Sequence, residues 1–399
     1  MKIFKKALLA PWIAASLLVP ASVNAEDNEL QISGFASVVA SKFSEDNYQY
    51  ADYSDDFSFS PDSIIGIQFS KQVSDDVSVT TQFTAKGADD YDVEAALAYI
   101  TYSVNRDWDI RVGKIRTPFF YYSDFLDVGY AYPWIRPPEE VYRVLLFSFD
   151  GIDTIYRMNH GEWSSTWQVY HGNEKDTFFS PILNETVETI AEDFLGFNVT
   201  LNNDWLTLRG GYVTFDLSQQ LFTPLRNFFG VLDNSGFSDL VDTFDLSSNP
   251  KKADYTQLAA LVDYNDWLLN LEYTALGWDR PHFLLNDTAW SIMAGRRIGD
   301  FTLHFTYARK KDDPVFEANT IPEGVSAQLD TYHAIFDGLF FNAKDTSLTA
   351  GVRYDFQPGV AFKAEVTRIE KGIAEPLFPG QDNGLDDGTL LSFGVDLVF

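Results

Sequence analysis

The 399 residues include no cysteine, three methionines, five histidines, and only 29 basic side chains against 58 acidic ones. Without cysteine there are no disulfides, no thiolate metal centres and no thiol redox chemistry. The shortage of basic residues leaves a formal charge of −29, which argues against nucleic acid or anionic lipid as a partner. Beyond residue 25 no apolar run approaches the length that a membrane-crossing helix needs. His160, His171, His282, His304 and His333 show neither metal-ligand spacing nor a nucleophile motif, so no catalytic residue, metal or cofactor is expected and an enzyme is not the reading. His304 falls on an inward position with no carboxylate assignable to it.

Aromatic residues, by contrast, are abundant. They make up 16% of the chain, with 34 Phe, 20 Tyr and 9 Trp, beside a mean hydropathy of −0.15. Many aromatics without high mean hydropathy suit strands that alternate an apolar outer face with a polar inner one. At the N-terminus, Lys2, Lys5 and Lys6 precede an apolar run from Ala7 to Val19 and then Val23-Asn24-Ala25. That is the pattern of a cleaved signal peptide. Residues 1–25 are therefore expected to be a leader, and residues 26–399 an exported barrel whose formal charge falls to −32 without those lysines.

Period-two alternation marks about sixteen segments, at 30–43, 57–73, 77–87, 94–105, 108–118, 150–160, 163–173, 191–203, 205–217, 252–265, 267–278, 287–299, 301–311, 345–356, 360–371 and 388–399. Each spans what a tilted transmembrane strand requires. The connections alternate between very short and long. The short ones, SDD at 74–76, NRD at 105–107, HGE at 160–162, NND at 202–204, YND at 264–266, GD at 299–300 and QPG at 357–359, are all turn chemistry. Trp108, Trp163, Trp205 and Trp267 follow four of them at once, as an interfacial girdle requires. The expected fold is an all-β, up-and-down antiparallel barrel of about 16 strands, with short periplasmic turns and long extracellular loops. Its inner rows carry Arg157, Arg209, Lys310, Arg353 and Lys363 against Asp109, Asp153, Glu272, Asp355, Glu365 and Asp396. Opposed charges of this kind set a transverse field across a wet lumen, and Lys363 and Glu365 are placed to pair.

The last strand, GTLLSFGVDLVF, ends on Phe399, which resembles the assembly signal of Gram-negative outer-membrane barrels and implies recognition by the barrel insertion machinery. The stretch RVGKIRTPFFYYSDFLDVGYAYPWIRPPEEVY resembles the fifth strand and third loop of Gram-negative porins of the phosphate-selective type. The resemblance implies that the loop at 119–150 folds inward as a constriction; its aromatic content also calls for packing against something. On that resemblance Arg111, Lys114, Arg116, Arg136 and Arg143, with Asp124, Asp127, Glu139 and Glu140, are constriction candidates beside Arg157, Arg209, Arg353 and Lys363 of the inner rows. Strict alternation from Ile110 and Val112 puts Lys114 and Arg116 outward, and a bulge at Gly113 would turn them in. The function implied is passive diffusion of small hydrophilic solutes and ions through a homotrimer in the cell outer membrane. Alternatives are a substrate-selective channel for phosphate or dicarboxylates and a non-conducting structural or adhesive barrel. The acidic loops SEDNYQYADYSDDF and GIAEPLFPGQDNGLDDG meet if the barrel closes, as a solvated rim or as a divalent-cation bridge to lipopolysaccharide.

Overall fold

The computed structural model describes residues 29–46, 48–142, 147–180, 185–219, 223–243, 250–279, 286–313, 319–339, 344–370, 375–376 and 387–399. Residues 1–25, expected to be a leader, and Arg143 lie outside the described residues. Sixteen strands run antiparallel in chain order: β1 Gln31–Phe43, β2 Ile64–Ser74, β3 Val77–Lys86, β4 Val93–Asn105, β5 Trp108–Arg116, β6 Ser148–His160, β7 Trp163–Ser180, β8 Glu185–Asn202, β9 Leu206–Gln219, β10 Lys251–Tyr264, β11 Trp267–Trp278, β12 Asn286–Ile298, β13 Phe301–Asp313, β14 Lys344–Gln357, β15 Val360–Glu370 and β16 Asp387–Val398. β1 pairs with both β2 and β16, which closes the barrel. Closure gives every interior strand two hydrogen-bonded neighbours and removes the exposed edge. At the seam Ser37 Oγ donates to Asp396 Oδ1 at 2.6 Å.

The two faces follow the sequence alternation. Val38, Ile65, Ile100, Leu195, Leu258 and Phe305 point away from the axis and are 51–54% exposed. The inner rows hold Gln82, Asn198, Gln257, Thr306 and Ser392, all buried. An apolar band outside and a polar wall inside invert the plan of a water-soluble sandwich. All seven short turns sit where turn chemistry placed them. Trp108, Trp163 and Trp267 open β5, β7 and β11, while Trp205 stands one residue ahead of β9. All four are exposed at the short-turn rim; Trp205 meets Tyr264 at 6.2 Å, and Arg296 lies 4.6 Å over Trp267.

Three features differ from the sequence reading. The 57–73 segment starts as a strand only at Ile64, because Pro61 cannot donate and the chain turns so that Ser63 N–H reaches Ser60 O at 3.1 Å; Ser58 alone still bridges Ser41. β7 and β8 run well past 163–173 and 191–203. Their extensions carry Glu174, Lys175 and Glu188, a polar pattern that reads as loop because those residues stand beyond the apolar band. The long connections also fold. Between β9 and β10 lie α2 Thr223–Asn234 and α3 Ser238–Thr243, and between β13 and β14 lies α4 Ala327–Leu339. Phe229, Leu232 and Leu240 pack with Ile321 and Phe336 into a small core of their own. As expected, the acidic loops meet: Tyr48–Gln49 pairs with Glu375–Pro376. Residues 377–386 fall outside the described part.

Candidate functional site

The site begins where β5 ends, at Thr117-Pro118, since proline cannot continue the ladder. The connection to β6 then runs through residues 117–147. Pro133, Pro137 and Pro138 break up any long helix, leaving single turns at Ser123–Phe125 and Gly129–Ala131 and one helical turn, α1 Glu139–Tyr142. The aromatic residues that make this stretch too apolar for water find partners within the barrel. Phe119 lies 4.8 Å from Tyr255 of β10, Phe120 lies 4.6 Å from Tyr142, and Tyr122 meets Trp134 edge-on at 5.6 Å. Phe119, Phe194 and Phe215 complete a cluster shared by the loop and the walls of β8 and β9. Burial pushes the phenols of Tyr122, Tyr132 and Tyr142 well above their usual range, so they act as neutral hydrogen-bonding groups.

Polar anchors from the far wall fix the path of the loop. Glu272 of β11 accepts from Tyr121 N–H at 2.8 Å and from the Tyr142 hydroxyl at 2.5 Å. Glu365 of β15 accepts from Ile135 N–H at 2.7 Å. Lys363 donates to Gly129 O at 2.7 Å and Trp134 O at 2.5 Å, and Arg353 of β14 donates to Tyr130 O at 2.6 Å and Tyr132 O at 3.0 Å. Trp134 Nε1 reaches Thr306 of β13 at 2.8 Å. Each is a charge-assisted or fully buried bond, worth more than its exposed equivalent. The connection therefore crosses the interior from β5 to the opposite wall.

The candidate residues separate into groups. Arg111 points inward, pairs with Asp153 and stacks 5.3 Å from Tyr99. Arg116 meets Asp127 of the loop at 2.5 Å; burial alone would raise the Asp127 carboxyl, but Arg116 and Lys86 hold it below its ordinary range. Asp124, half-buried, lies within the electrostatic reach of Arg111. Arg136 is tied to Asp62 and, at 3.2 Å, to Glu139. Glu140 is 2% exposed, and burial pushes its carboxyl up to about 7. Arg157 pairs with Asp109 at 2.6 Å, and Arg353 with Asp355 at 2.7 Å. Arg209 is half-buried on β9.

Three expectations need correction. No bulge forms at Gly113: the register runs on unbroken through it on both sides, as Tyr99↔Gly113 and Gly113↔Gly151. Lys114 consequently stays in the outward row with Ala98 and Asp150 and is not a lumen residue. Lys363 pairs with Asp396 at 2.8 Å rather than with Glu365, because Glu365 is engaged by the loop backbone. His304 does have a carboxylate, with Nε2 3.4 Å from Glu365 Oε1. The inward parity of Glu272, Glu365, Arg353 and Lys363 was legible, but their use as loop anchors was not. Asp62, Thr306 and Asn270, which donates to the Tyr122 hydroxyl at 3.0 Å, carried no signal beyond parity or position.

No protein-family model and no curated protein matches the sequence. Among solved structures the chain is similar to OmpT, an outer membrane protein of Vibrio cholerae, with a TM-score of 0.55 at 12% identity over 94% of this chain and 99% of that one. It is similar to the outer membrane channel DcaP of Acinetobacter baumannii, with a TM-score of 0.57 at 9% identity over 93% and 97%. It is also similar to an anion-selective porin from Comamonas acidovorans, with a TM-score of 0.56 at 12% identity over 93% and 100%. At these identities the likeness is one of fold, over nearly the whole length of each chain.

Proposed function

We propose that this chain is an outer-membrane porin, a passive channel for small hydrophilic solutes and ions, with residues 119–150 as its constriction. The observation that carries the reading is the inward course of that loop, held by Glu272, Arg353, Lys363 and Glu365. A loop anchored across a polar-walled barrel narrows the path without sealing the short-turn half, where the Arg157 side chain keeps 44% exposure. One flank of the constriction is where Asp127 of the loop closes on Arg116 of β5 and Asp124 stands within electrostatic reach of Arg111. Facing charges of opposite sign there orient water and polar solutes across the direction of flow.

Supporting points are the apolar outer band, the tryptophan rim, and neighbours described as an outer membrane channel and as a porin. Export by the leader and assembly as a homotrimer belong to the same proposal; one OmpT structure is described as a trimer form. Reconstitution in planar bilayers tests the reading. Stable ohmic steps that grow when residues 120–138 are shortened support it. A folded barrel that conducts nothing would make this a structural or adhesive protein instead.

A further inference from the structure

Parity puts polar side chains along most of the inner wall, and β10 and β11 depart from it near the short turn that joins them. Leu261 and Leu268 occupy inward positions there. In the register Leu261 lies beside Asn270 and Leu268 beside Asp263, so the two leucines stand on a diagonal across the strand pair. On its other side Leu268 faces Gly295 of β12, which has no side chain to cover it. Both leucines are half-buried. An inward side chain of a closed barrel keeps such exposure only towards the lumen.

The inner loop extends this strip. The Tyr122 hydroxyl accepts from Asn270 at 3.0 Å, which brings the first turn of the loop to the inward position next to Leu268 on the same strand. Phe125 stands edge-on to Tyr122 at 5.4 Å and to Tyr121 at 6.4 Å. Tyr121, Phe125, Leu126, Leu261 and Leu268 all pack against the aromatic cluster of loop and wall, yet each stays half-buried. Apolar groups gathered and left wet mark a surface that something else covers. The wall across the lumen is built the other way. On β4, β5 and β6, Ser103 donates to Asp109 at 2.7 Å, Arg157 pairs with Asp109 at 2.6 Å, and Arg111 pairs with Asp153. On the short-turn side of the loop the lumen is therefore apolar along one flank and hydrogen-bonding along the other.

Resting on the porin reading above, we propose that Tyr121, Phe125, Leu126, Leu261 and Leu268 form an apolar track that selects small uncharged, hydroxylated solutes carrying an aromatic ring. The ring lies along the track and releases water from both surfaces, while the hydroxyls exchange water for the polar groups of β4, β5 and β6. A solute without an apolar face gains nothing from the track. One without hydroxyls strips water from the polar flank and returns no hydrogen bonds. Selection of this kind acts on shape and polarity, where a transverse field alone has no net charge to sort.

The test uses the full-length channel in planar bilayers and two uncharged solutes of similar size: phenyl β-D-glucoside, and cellobiose, in which a second hydroxylated ring replaces the phenyl ring. On the wild type, phenyl glucoside should interrupt the ion current in a concentration-dependent way, with longer dwells than cellobiose. Leu268→Asn, which alters the strand wall and leaves the loop untouched, should shorten the phenyl glucoside dwells roughly threefold, as expected for losing part of the apolar contact of one leucine. Cellobiose dwells and the open conductance should stay as they are. Phe125→Ser should shorten the phenyl glucoside dwells from the loop side. Equal interruption by the two solutes, or phenyl glucoside dwells unchanged in Leu268→Asn, overturns the track while leaving the porin reading intact. Absence of any wild-type conductance overturns the porin reading, and the track with it.

Discussion

Glu140 should give the proposed channel a pH dependence that Glu140→Gln removes. Glu140 sits on α1, which packs against β11, β12, β13 and β14. Burial raises its carboxyl from an ordinary 4.5 to about 7; the neighbouring charges of Glu139 and Asp345 add to the rise, and the Ser347 hydroxyl opposes it. Little positive charge is free to compensate: Lys310 of β13 is taken by Asp312 at 2.7 Å, and Arg136 by Asp62 and Glu139. With its folded value above its free value, the docked loop prefers the protonated acid. Docking is therefore strongest below pH 4.5, weakens as pH rises towards 7, and stays weak above it. At ~1.4 kcal/mol per tenfold change in proton affinity, the penalty above pH 7 is about 3 kcal/mol, enough to change the loop's docked fraction at α1. Single-channel recording across pH 4–9 should show wild-type conductance growing larger and noisier through the neutral range, while Glu140→Gln, which has the same shape and cannot ionise, stays flat. Identical pH profiles for the two proteins would refute the reasoning.

Three further outcomes are expected. Lys114→Glu should leave the reversal potential unchanged because Lys114 faces outward, whereas Arg116→Glu, at the strand end where the side chain reaches Asp127 of the loop, should shift it towards cations; equal shifts would contradict that difference in placement. Gly113→Ala should deplete the heat-modifiable folded form, because Gly113 has φ +135° and a Cβ there would lie 2.2 Å from Ala98 O; normal yield would show that this strand tolerates a side chain. Glu272→Ala should strip Tyr121 N–H and the Tyr142 hydroxyl of their acceptor, loosening the loop by about 3 kcal/mol and increasing current noise without unfolding the barrel; a quiet channel would remove Glu272 from the anchors.

Strand count, turn positions and face assignments were legible because each strand carries its own alternation, and because Asn, Asp and Gly at a tight turn need no tertiary context. The direction of Arg111, Arg157 and Arg353 followed from the same parity. What parity cannot give is the partner across the lumen. Nothing in the spacing of Glu272 and Tyr121, 151 positions apart, connects them; only barrel closure brings them together. Parity also predicted the outward course of Lys114, and the bulge invoked at Gly113 to reverse it is absent. The glycine is required instead by the close approach of the neighbouring backbone. The helices at 223–243 and 327–339 went unread because their apolar residues cover each other across two loops.

The anchoring of the inner loop has one more consequence. Lys363, Arg353 and Glu365 grip main-chain carbonyls and amides of residues 129–135, groups that every amino acid except proline supplies in full. The wall thus sets the track of this segment largely through its main chain, with Tyr130, Tyr132 and Trp134 as the side chains it also holds. A half-buried position that it does not hold, such as Ala131, can be rewritten to alter what the proposed aperture admits while the thread keeps its route. A barrel built this way is a frame that accepts interchangeable filters, and its permeability can diverge among descendants faster than its scaffold.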